Sequence, residues 1–423
     1  MPFDAWNGNF VGVGNGVWAG SISYFAMVEP LLRGYATAAT DDGHQGDPLD
    51  AGFAAGHPQK LIDFGYRAPH LMTVDAKATI TAFYNKPAAH SLFVSCSTGG
   101  RQGLMEAYRY PYDYDGISAT APANPMTALM IGSLWTGYAA LKSPARTIPP
   151  SKFAMIHQAV IEACDAKDGV KDGIVSAPER CHFDPSTLQC PGNDTPSCLT
   201  AAQVETLRDI YRGPSNARTG HQIYPGFELG SESQFALLTA GPEPFRVATS
   251  YMRDLVFANP SWDFRTFDYD RDVQRVVQFG ESALDVPASG LDAYFKKGGK
   301  LLLSHGLADG LIPPKATQQF YAALAARLGR ESAARGVRLF MVPGMGHCGG
   351  GDGPSVMDLL GAIDAWVDTG HAPEQIIASN SPNAPARSRP VCPHPQEAVY
   401  TGGGSADHAE NFKCQVRSGP ADQ

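Results

Sequence analysis

Three short stretches of this chain carry side chains able to do nucleophilic chemistry. The first is Ser95-Cys96-Ser97-Thr98-Gly99-Gly100. It lies where a buried strand pattern, Ser91 to Val94, gives way to a helical one, Gln102 to Tyr108. A serine on a strand-to-helix elbow needs small neighbours, because the turn is strained and strand and helix approach closely. The usual pattern is G-x-S-x-G; here Ser95 replaces the first glycine, a small change that the same steric argument tolerates. The backbone N–H of Thr98 then points to where an oxyanion develops, near the N-terminus of the helix.

The second stretch is His305-Gly306-Leu307-Ala308-Asp309, just past a predicted strand at Gly299–Ser304. The third is Gly344-Met345-Gly346-His347-Cys348-Gly349-Gly350, just past a predicted strand at Val337–Val342. A Ser/Gly loop, a loop aspartate or a loop histidine is, taken singly, usually structural. Together they stand in the order Ser, Asp, His, each after a predicted strand, which is the order of α/β-hydrolases. The set predicts acyl transfer with Ser97 as nucleophile, His347 as base and Asp309 as its orienting acid. His305 is expected to support a loop near Asp309, and His44, His57, His70 and His90 to serve packing or capping.

Cys96 directly precedes the serine and Cys348 directly follows the histidine. If Ser97 and His347 lie within about 2.6–3.2 Å, their chain neighbours are close as well. A disulfide needs Cα atoms within about 7 Å, so a Cys96–Cys348 bond requires the two loops to meet. The chain has eight cysteines, no C-x-x-C and no histidine at zinc-finger spacing. That favours disulfides and an oxidising compartment over zinc or redox-active thiols. Eight cysteines allow about a hundred pairings; proximity suggests Cys190 with Cys198 and Cys392 with Cys414.

Stepping outward, Trp6 to Gly20 reads as a strand entering a Gly-rich loop, Tyr35 to Ala39 as a strand, and Lys60 to Tyr84 as helix. Strand, tight turn and helix imply a parallel sheet. From Asn124 to Ala283 helical stretches alternate with Cys-, Gly- and Pro-rich loops and strand signals are scarce. The expected architecture is α/β: an α/β-hydrolase fold, residues 1–123 with 284–423, and an inserted lid domain, 124–283. Ala316–Leu328 and Val356–Val367 are predicted helices, and Val399-Tyr400 is strand-like.

The chain has 423 residues, 43% hydrophobic and 18% charged, with 45 Gly and 33 Pro, which suits a loop-rich globular fold. A net charge of −9 without a basic run argues against nucleic acid or an anionic membrane as main partner. No apolar stretch is long enough to span a bilayer. No signal peptide is visible, so the expected secreted or periplasmic location implies a trimmed or incomplete start.

The residues resemble the tannase/feruloyl esterase family, which includes the hydrolase of mono(2-hydroxyethyl) terephthalate. The resemblance rests on Ser95 to Gln102 (SCSTGGRQ), Asp309 and His347-Cys348, and extends over nearly the whole chain: Trp6-Asn7-Gly8, Thr40-Asp41, Gly43-His44, Asp63 to Arg67, Pro111, Asp115-Gly116, Ala121 to Ala123, Arg389-Pro390 and Cys392-Pro393. It implies the same triad, a Cys96–Cys348 bridge, and an oxyanion hole from the Thr98 N–H plus a donor in the early Gly loop, where Gly16 is the best match. Two departures stand out: Ser95 where the family usually has Gly, and a start several dozen residues into the family pattern. Lost early strands would leave a sheet edge unprotected.

The stretch Asp165 to Ile174 holds three carboxylates in eight residues, which repel one another without a cation. An EF-hand fits poorly. The resemblance instead implies a structural Ca2+ held by the side chains of Asp165, Asp168 and Asp172 and the carbonyls of Val170 and Ile174. Cys164 and Cys181 flank this loop and would staple it, worth about 3 kcal/mol in the entropic treatment. The unassisted alternative is a solvated acidic turn.

The expected activity is hydrolysis of esters of aromatic acids through an acyl-enzyme, of feruloyl esterase or tannase type, on a small-molecule substrate. The runner-up substrate is a monoester of an aromatic dicarboxylate. A rival of another class is a non-catalytic, calcium-dependent binding module. Trp135, Tyr138, Phe257, Trp262 and Phe264 are able to stack on an aromatic acyl group, but are expected mainly as core of the inserted domain.

Overall fold

The computed structural model describes residues 1–416. Six strands form one parallel sheet: β1 (Phe10–Gly12), β2 (Ala36–Ala38), β3 (Ser91–Cys96), β4 (Gly116–Thr120), β5 (Lys300–Gly306) and β6 (Val337–Val342). Their spatial order is β2-β1-β3-β4-β5-β6. Parallel strands covered on both faces need apolar residues at successive positions, and β5 shows it. Leu301 and Leu303 join a cluster on one face with Phe93 and Ile117; Leu302 joins the opposite cluster with Leu92, Phe340 and Trp366. Each leucine so buried contributes roughly 1.5–3 kcal/mol.

The helices that matter for the site are α1 (Ala68–Tyr84), α2 (Thr98–Arg109), α3 (Met126–Leu141), α4 (Phe153–Cys164), α5 (Pro314–Leu328) and α6 (Leu359–Thr369). Between β4 and β5 the chain adds no strand to the sheet. That stretch builds its own apolar clusters around α3, which is buried along most of its length.

Register places the site. Cys96 pairs with Thr120, Thr120 with Ser304, and Gly306 with Val342. The carboxyl ends of β3, β5 and β6 therefore open onto one rim, where loops of α/β sheets form binding crevices.

Several boundaries differ from expectation. The helix at Lys60–Tyr84 contains a wide turn over Asp63–Arg67. Helix α2 starts at Thr98, immediately after the serine, rather than at Gln102. Val356-Met357 is a short strand, β7, and α6 begins only at Leu359, where the Asp358 side chain accepts from the Gly361 N–H at 2.8 Å. An N-cap aspartate competes with continued helix upstream. Strands β8 (Ile376–Ser379) and β9 (Ser388–Val391) extend β7 into a small antiparallel sheet, and β10 (Glu397–Tyr400) pairs with β11 (Phe412–Gln415). β8 carried no sequence signal strong enough to be expected.

All eight cysteines are paired, as Cys96–Cys348, Cys164–Cys181, Cys190–Cys198 and Cys392–Cys414. Among the described residues no helix is long and apolar enough to cross a membrane.

Candidate active site

Ser97 sits at φ 63°, ψ −127°, between the end of β3 and the first residue of α2. A non-glycine residue there is strained and persists because its surroundings hold it. The Ser97 N–H donates to the Thr120 carbonyl at 2.9 Å, and the Ser97 carbonyl accepts from Arg101 and Ala123. The glycines that follow are required by close approach. A Cβ on Gly100 would stand 2.7 Å from the Thr120 carbonyl oxygen, and one on Gly99 1.9 Å from Ser95 Oγ. Ser95 is accommodated in place of glycine because Gly14 and Gly99 leave its hydroxyl room.

The loops after β5 and β6 bring the other two groups. His347 Nε2 lies 3.0 Å from Ser97 Oγ, and His347 Nδ1 lies 2.8 Å from Asp309 Oδ2. Asp309 only accepts, so Nδ1 carries the proton and Nε2 is free to accept from the serine hydroxyl. Asp309 is fully buried. Its Oδ1 accepts from the N–H groups of Leu311 and Ile312 at 2.8 and 2.9 Å. Burial alone would raise its pKa, but the His347 charge and hydrogen bonds from His305 and His347 hold it well below the usual carboxylate range. His305 supports the loop as expected: Nε2 faces Asp309 Oδ2 and the Ile312 carbonyl, and Nδ1 accepts from Thr317 Oγ1.

The Cys96–Cys348 bond, with Cα atoms 5.9 Å apart, joins the serine and histidine loops. Thr98 and Gly16 line the same cavity as Ser97, and so does Val17. Among the described residues no acceptor pairs with the backbone N–H of Gly16, Val17 or Thr98. Val17 has φ 46°, a genuine outlier for a β-branched residue. Helix α2 holds this loop: Gln102 Oε1 accepts from the Asn15 N–H at 3.0 Å, and Thr98 Oγ1 donates to the Val17 carbonyl at 2.8 Å. The Thr and Gln of the SCSTGGRQ stretch thus position the loop facing the serine.

Two residues from the stretch between β4 and β5 were not foreseen. Gln234 Oε1 accepts from the N–H of Gly310 at 2.8 Å and from that of His347 at 3.2 Å, bridging the loops after β5 and β6. Glu232, fully buried, accepts from Tyr211, the Gly230 N–H and His157. His157 reaches on to Asp352 at 2.8 Å, beyond the histidine loop. Burial opposes its protonation, yet Asp352 and Glu232 outweigh it and push its pKa up to about 10.

The cavity beside Ser97 measures about 350 Å³. Its walls include Met126, Leu129, Met130, Phe245, Val247 and Leu311, with the Ser133 hydroxyl among them. None of Trp135, Tyr138, Phe257, Trp262 or Phe264 lines it; four belong to, or pack on, the apolar cluster around α3, and Trp135 packs on Tyr269.

The acidic loop follows α4. Asp165 accepts from the N–H groups of Asp172 and Gly173, Asp168 from Val170, and Asp172 from Ile174 and from Arg389. Burial, with the charges of Asp168 and Asp165, raises the Asp172 pKa against Arg389 and Arg387. The loop offers only oxygen ligands, the kind a hard cation takes, but the Asp165, Asp168 and Asp172 carboxylates do not gather within 4.8 Å of one another.

A sequence model of the family described as "Tannase and feruloyl esterase" matches residues 1–415. An uncharacterized esterase of Xanthomonas campestris pv. campestris is 38% identical, the match covering 98% of this chain and 80% of that one. Mono(2-hydroxyethyl) terephthalate hydrolase of Piscinibacter sakaiensis is 33% identical, with 98% and 80% covered. The crystal structure of feruloyl esterase B from Aspergillus oryzae superposes with a TM-score of 0.91 at 28% identity, over 97% of this chain and 85% of that one.

Proposed function

The chain belongs to the tannase and feruloyl esterase family and is a carboxylic ester hydrolase, and we propose that it cleaves esters of neutral aromatic acids through an acyl-enzyme on Ser97. The observation that carries this is the line of contacts Ser97–His347–Asp309, at 3.0 and 2.8 Å. His347 Nε2 takes the hydroxyl proton as Ser97 Oγ attacks the ester carbonyl. Asp309 holds the imidazole in the required tautomer and stabilises the imidazolium. The N–H groups of Thr98 and Gly16, with Val17 beside them, receive the oxyanion. His347 then protonates the leaving alcohol, and water repeats the attack on the acyl-enzyme.

The cavity walls argue for the acyl group. Away from Ser97, Thr98 and His347 they are apolar, with one hydroxyl at Ser133 and, among the described residues, no Lys or Arg. The free carboxylate of a terephthalate monoester would be buried there without a cation, at a cost of several kcal/mol. The three hydroxyls of a galloyl ring would compete for one hydroxyl partner. A hydroxycinnamoyl ring, with one phenolic hydroxyl, fits best. The test is a panel of methyl ferulate, methyl gallate and a terephthalate monoester, run with the parent and with Ser97→Ala. Preference for ferulate, abolished in the variant with folding intact, is expected. Undiminished turnover by Ser97→Ala removes the assignment of the nucleophile; preference for the terephthalate monoester removes the acyl assignment.

We further propose that Asp165, Asp168 and Asp172 with the Val170 and Ile174 carbonyls hold a structural Ca2+, supported by their oxygen-only chemistry and by the burial and mutual charge that raise the Asp172 pKa; the carboxylates, which do not gather within 4.8 Å of one another here, would close on the ion. The ion would neutralise the loop and fix the segment closed by Cys164–Cys181. Residues 124–283 act as the lid over the acyl cavity, to which they supply Met126, Leu129 and Phe245. Four disulfides support an oxidising destination, the periplasm or the exterior.

A further inference from the structure

We propose that His70, Glu106 and Asp113 form a binding site for a first-row divalent transition-metal ion, with Zn2+ as the reference ion, separate from both Ser97 and the acidic loop. His70 is near the start of α1, Glu106 is in the last turns of α2, and Asp113 follows in the loop toward β4. One ligand atom from each lies within 4.8 Å of the other two, and they are the one such group of His, Cys, Asp or Glu among the described residues. A single ion at about 2.0–2.2 Å from each nitrogen or oxygen requires that convergence.

Glu106 is the decisive residue. It is 1% exposed, on a helix; its Oε2 meets no N–H or O–H donor among the described residues, and its carboxyl faces that of Asp113 at hydrogen-bonding range, so that a proton or a cation must lie between the two acids. A buried acceptor left unpaired costs about 1–3 kcal/mol, and more if charged. A second carboxylate, Asp113, stands in the same cluster, so the two acids disfavour each other's charge. Lys77 is the cation at hand, but its Nζ donates to the Asp113 backbone carbonyl rather than to either carboxylate. A cation bridging the two acids satisfies Oε2 and removes the repulsion together.

The third donor selects the kind of ion. His70 Nδ1 lies 2.6 Å from Asp113 Oδ2, and the imidazole stacks on Tyr110 with ring centroids 3.6 Å apart and planes 4° apart. The stack fixes the ring while its nitrogens stay at the edge. One imidazole nitrogen with two carboxylates is a donor set for Zn2+ and its neighbours, whereas Ca2+ and Mg2+ prefer oxygen alone. The His70 and Asp113 side chains are 25% and 15% exposed, which gives an ion a route in and leaves coordination positions for water.

The site ties α1 to the far end of the helix that begins at the nucleophile. Glu106 lies nine helical steps beyond Ser97, about 13 Å. The expected consequence is therefore a brace on α2 rather than a part in ester cleavage.

The test uses the full chain, stripped with chelator and then saturated with Ca2+ so that oxygen-only sites are filled. ZnCl2 is titrated by calorimetry, and Co2+ serves as a visible-absorption probe of a nitrogen-containing site. One equivalent of Zn2+ is expected, weakened at least ~tenfold by His70→Gln, Glu106→Gln and Asp113→Asn and untouched by Asp168→Asn. Near-UV circular dichroism reports whether each variant is folded, and Asp113→Asn, in a loop, is least disruptive. No saturable binding to the parent overturns the proposal and leaves a proton as the bridge between the two acids. Binding that survives unchanged in folded Asp113→Asn and His70→Gln overturns it as well.

Discussion

Replacing Cys96 and Cys348 together by alanine separates two consequences of the bond between the nucleophile and base loops. The bond closes a span of 252 residues. Loop entropy for a closure of that length amounts to about 5 kcal/mol, and the two short bonds inside the span change this logarithmic term little. The expected loss of stability is therefore several kcal/mol, read by guanidinium denaturation. Catalysis should suffer separately. Without the bond His347 is still held by Asp309 at 2.8 Å and, through its N–H, by Gln234 at 3.2 Å, so its imidazole loosens rather than leaves. A displacement of about 1 Å between nucleophile and base costs on the order of a hundredfold. We expect kcat for methyl ferulate to fall by roughly 10- to 100-fold, with KM changing less because the apolar wall of the cavity is intact. The rate of Ser97 labelling by a phosphonate should fall in parallel. A variant that loses stability yet retains the parent kcat would show that the bond only braces the fold, and the catalytic part of the reasoning would be wrong.

Gln234→Ala removes the acceptor shared by the N–H groups of Gly310 and His347. It should cost about 1–3 kcal/mol of stability and lower kcat by about tenfold, with Gln234→Glu, which keeps an oxygen, recovering part of the loss; parent kcat in the alanine variant would refute a positioning role. His157, with a folded pKa of about 10 against about 6.5 unfolded, favours the protonated folded state, so its contribution is complete below pH ~6.5 and is lost as pH rises through about 10. Discounted for solvent on the Asp352 side, that is about 2 kcal/mol, and the stability gap between parent and His157→Gln should narrow by about this much from pH 6.5 to 10.5; a gap independent of pH would refute it. Ca2+ added to chelator-stripped protein should raise the melting temperature by several degrees, and should not do so in Asp168→Asn; an unresponsive parent would leave the loop an acidic turn.

Much of the site was legible because its signals are local. Small residues around Ser97 announce an elbow through sterics, and a buried run such as Leu301–Leu303 announces a strand through its neighbours' chemistry. The flanking cysteines add one long-range constraint that sequence is able to express, since a Cys96–Cys348 bond has meaning only if distant loops meet. Boundaries were less legible where a single cap decides them, as Asp358 does in splitting β7 from α6.

What tertiary structure alone decided are contacts between residues with no local mark of purpose. Gln234 is 76 residues from Gly310 and 113 from His347, and nothing in its own neighbourhood says that its amide oxygen joins the loops after β5 and β6. The five aromatics expected mainly as core of the inserted domain do pack there, but no sequence signal marked Met126, Leu129 and Phe245 as lining the cavity, which follows from how α3 and its neighbours settle against the rim. Glu106 reads as one polar residue of an amphipathic helix until the fold sets His70 and Asp113 beside it. Periodicity and turn chemistry are written into each stretch of chain, whereas which side chains share a cavity or a proton depends on packing across the whole molecule.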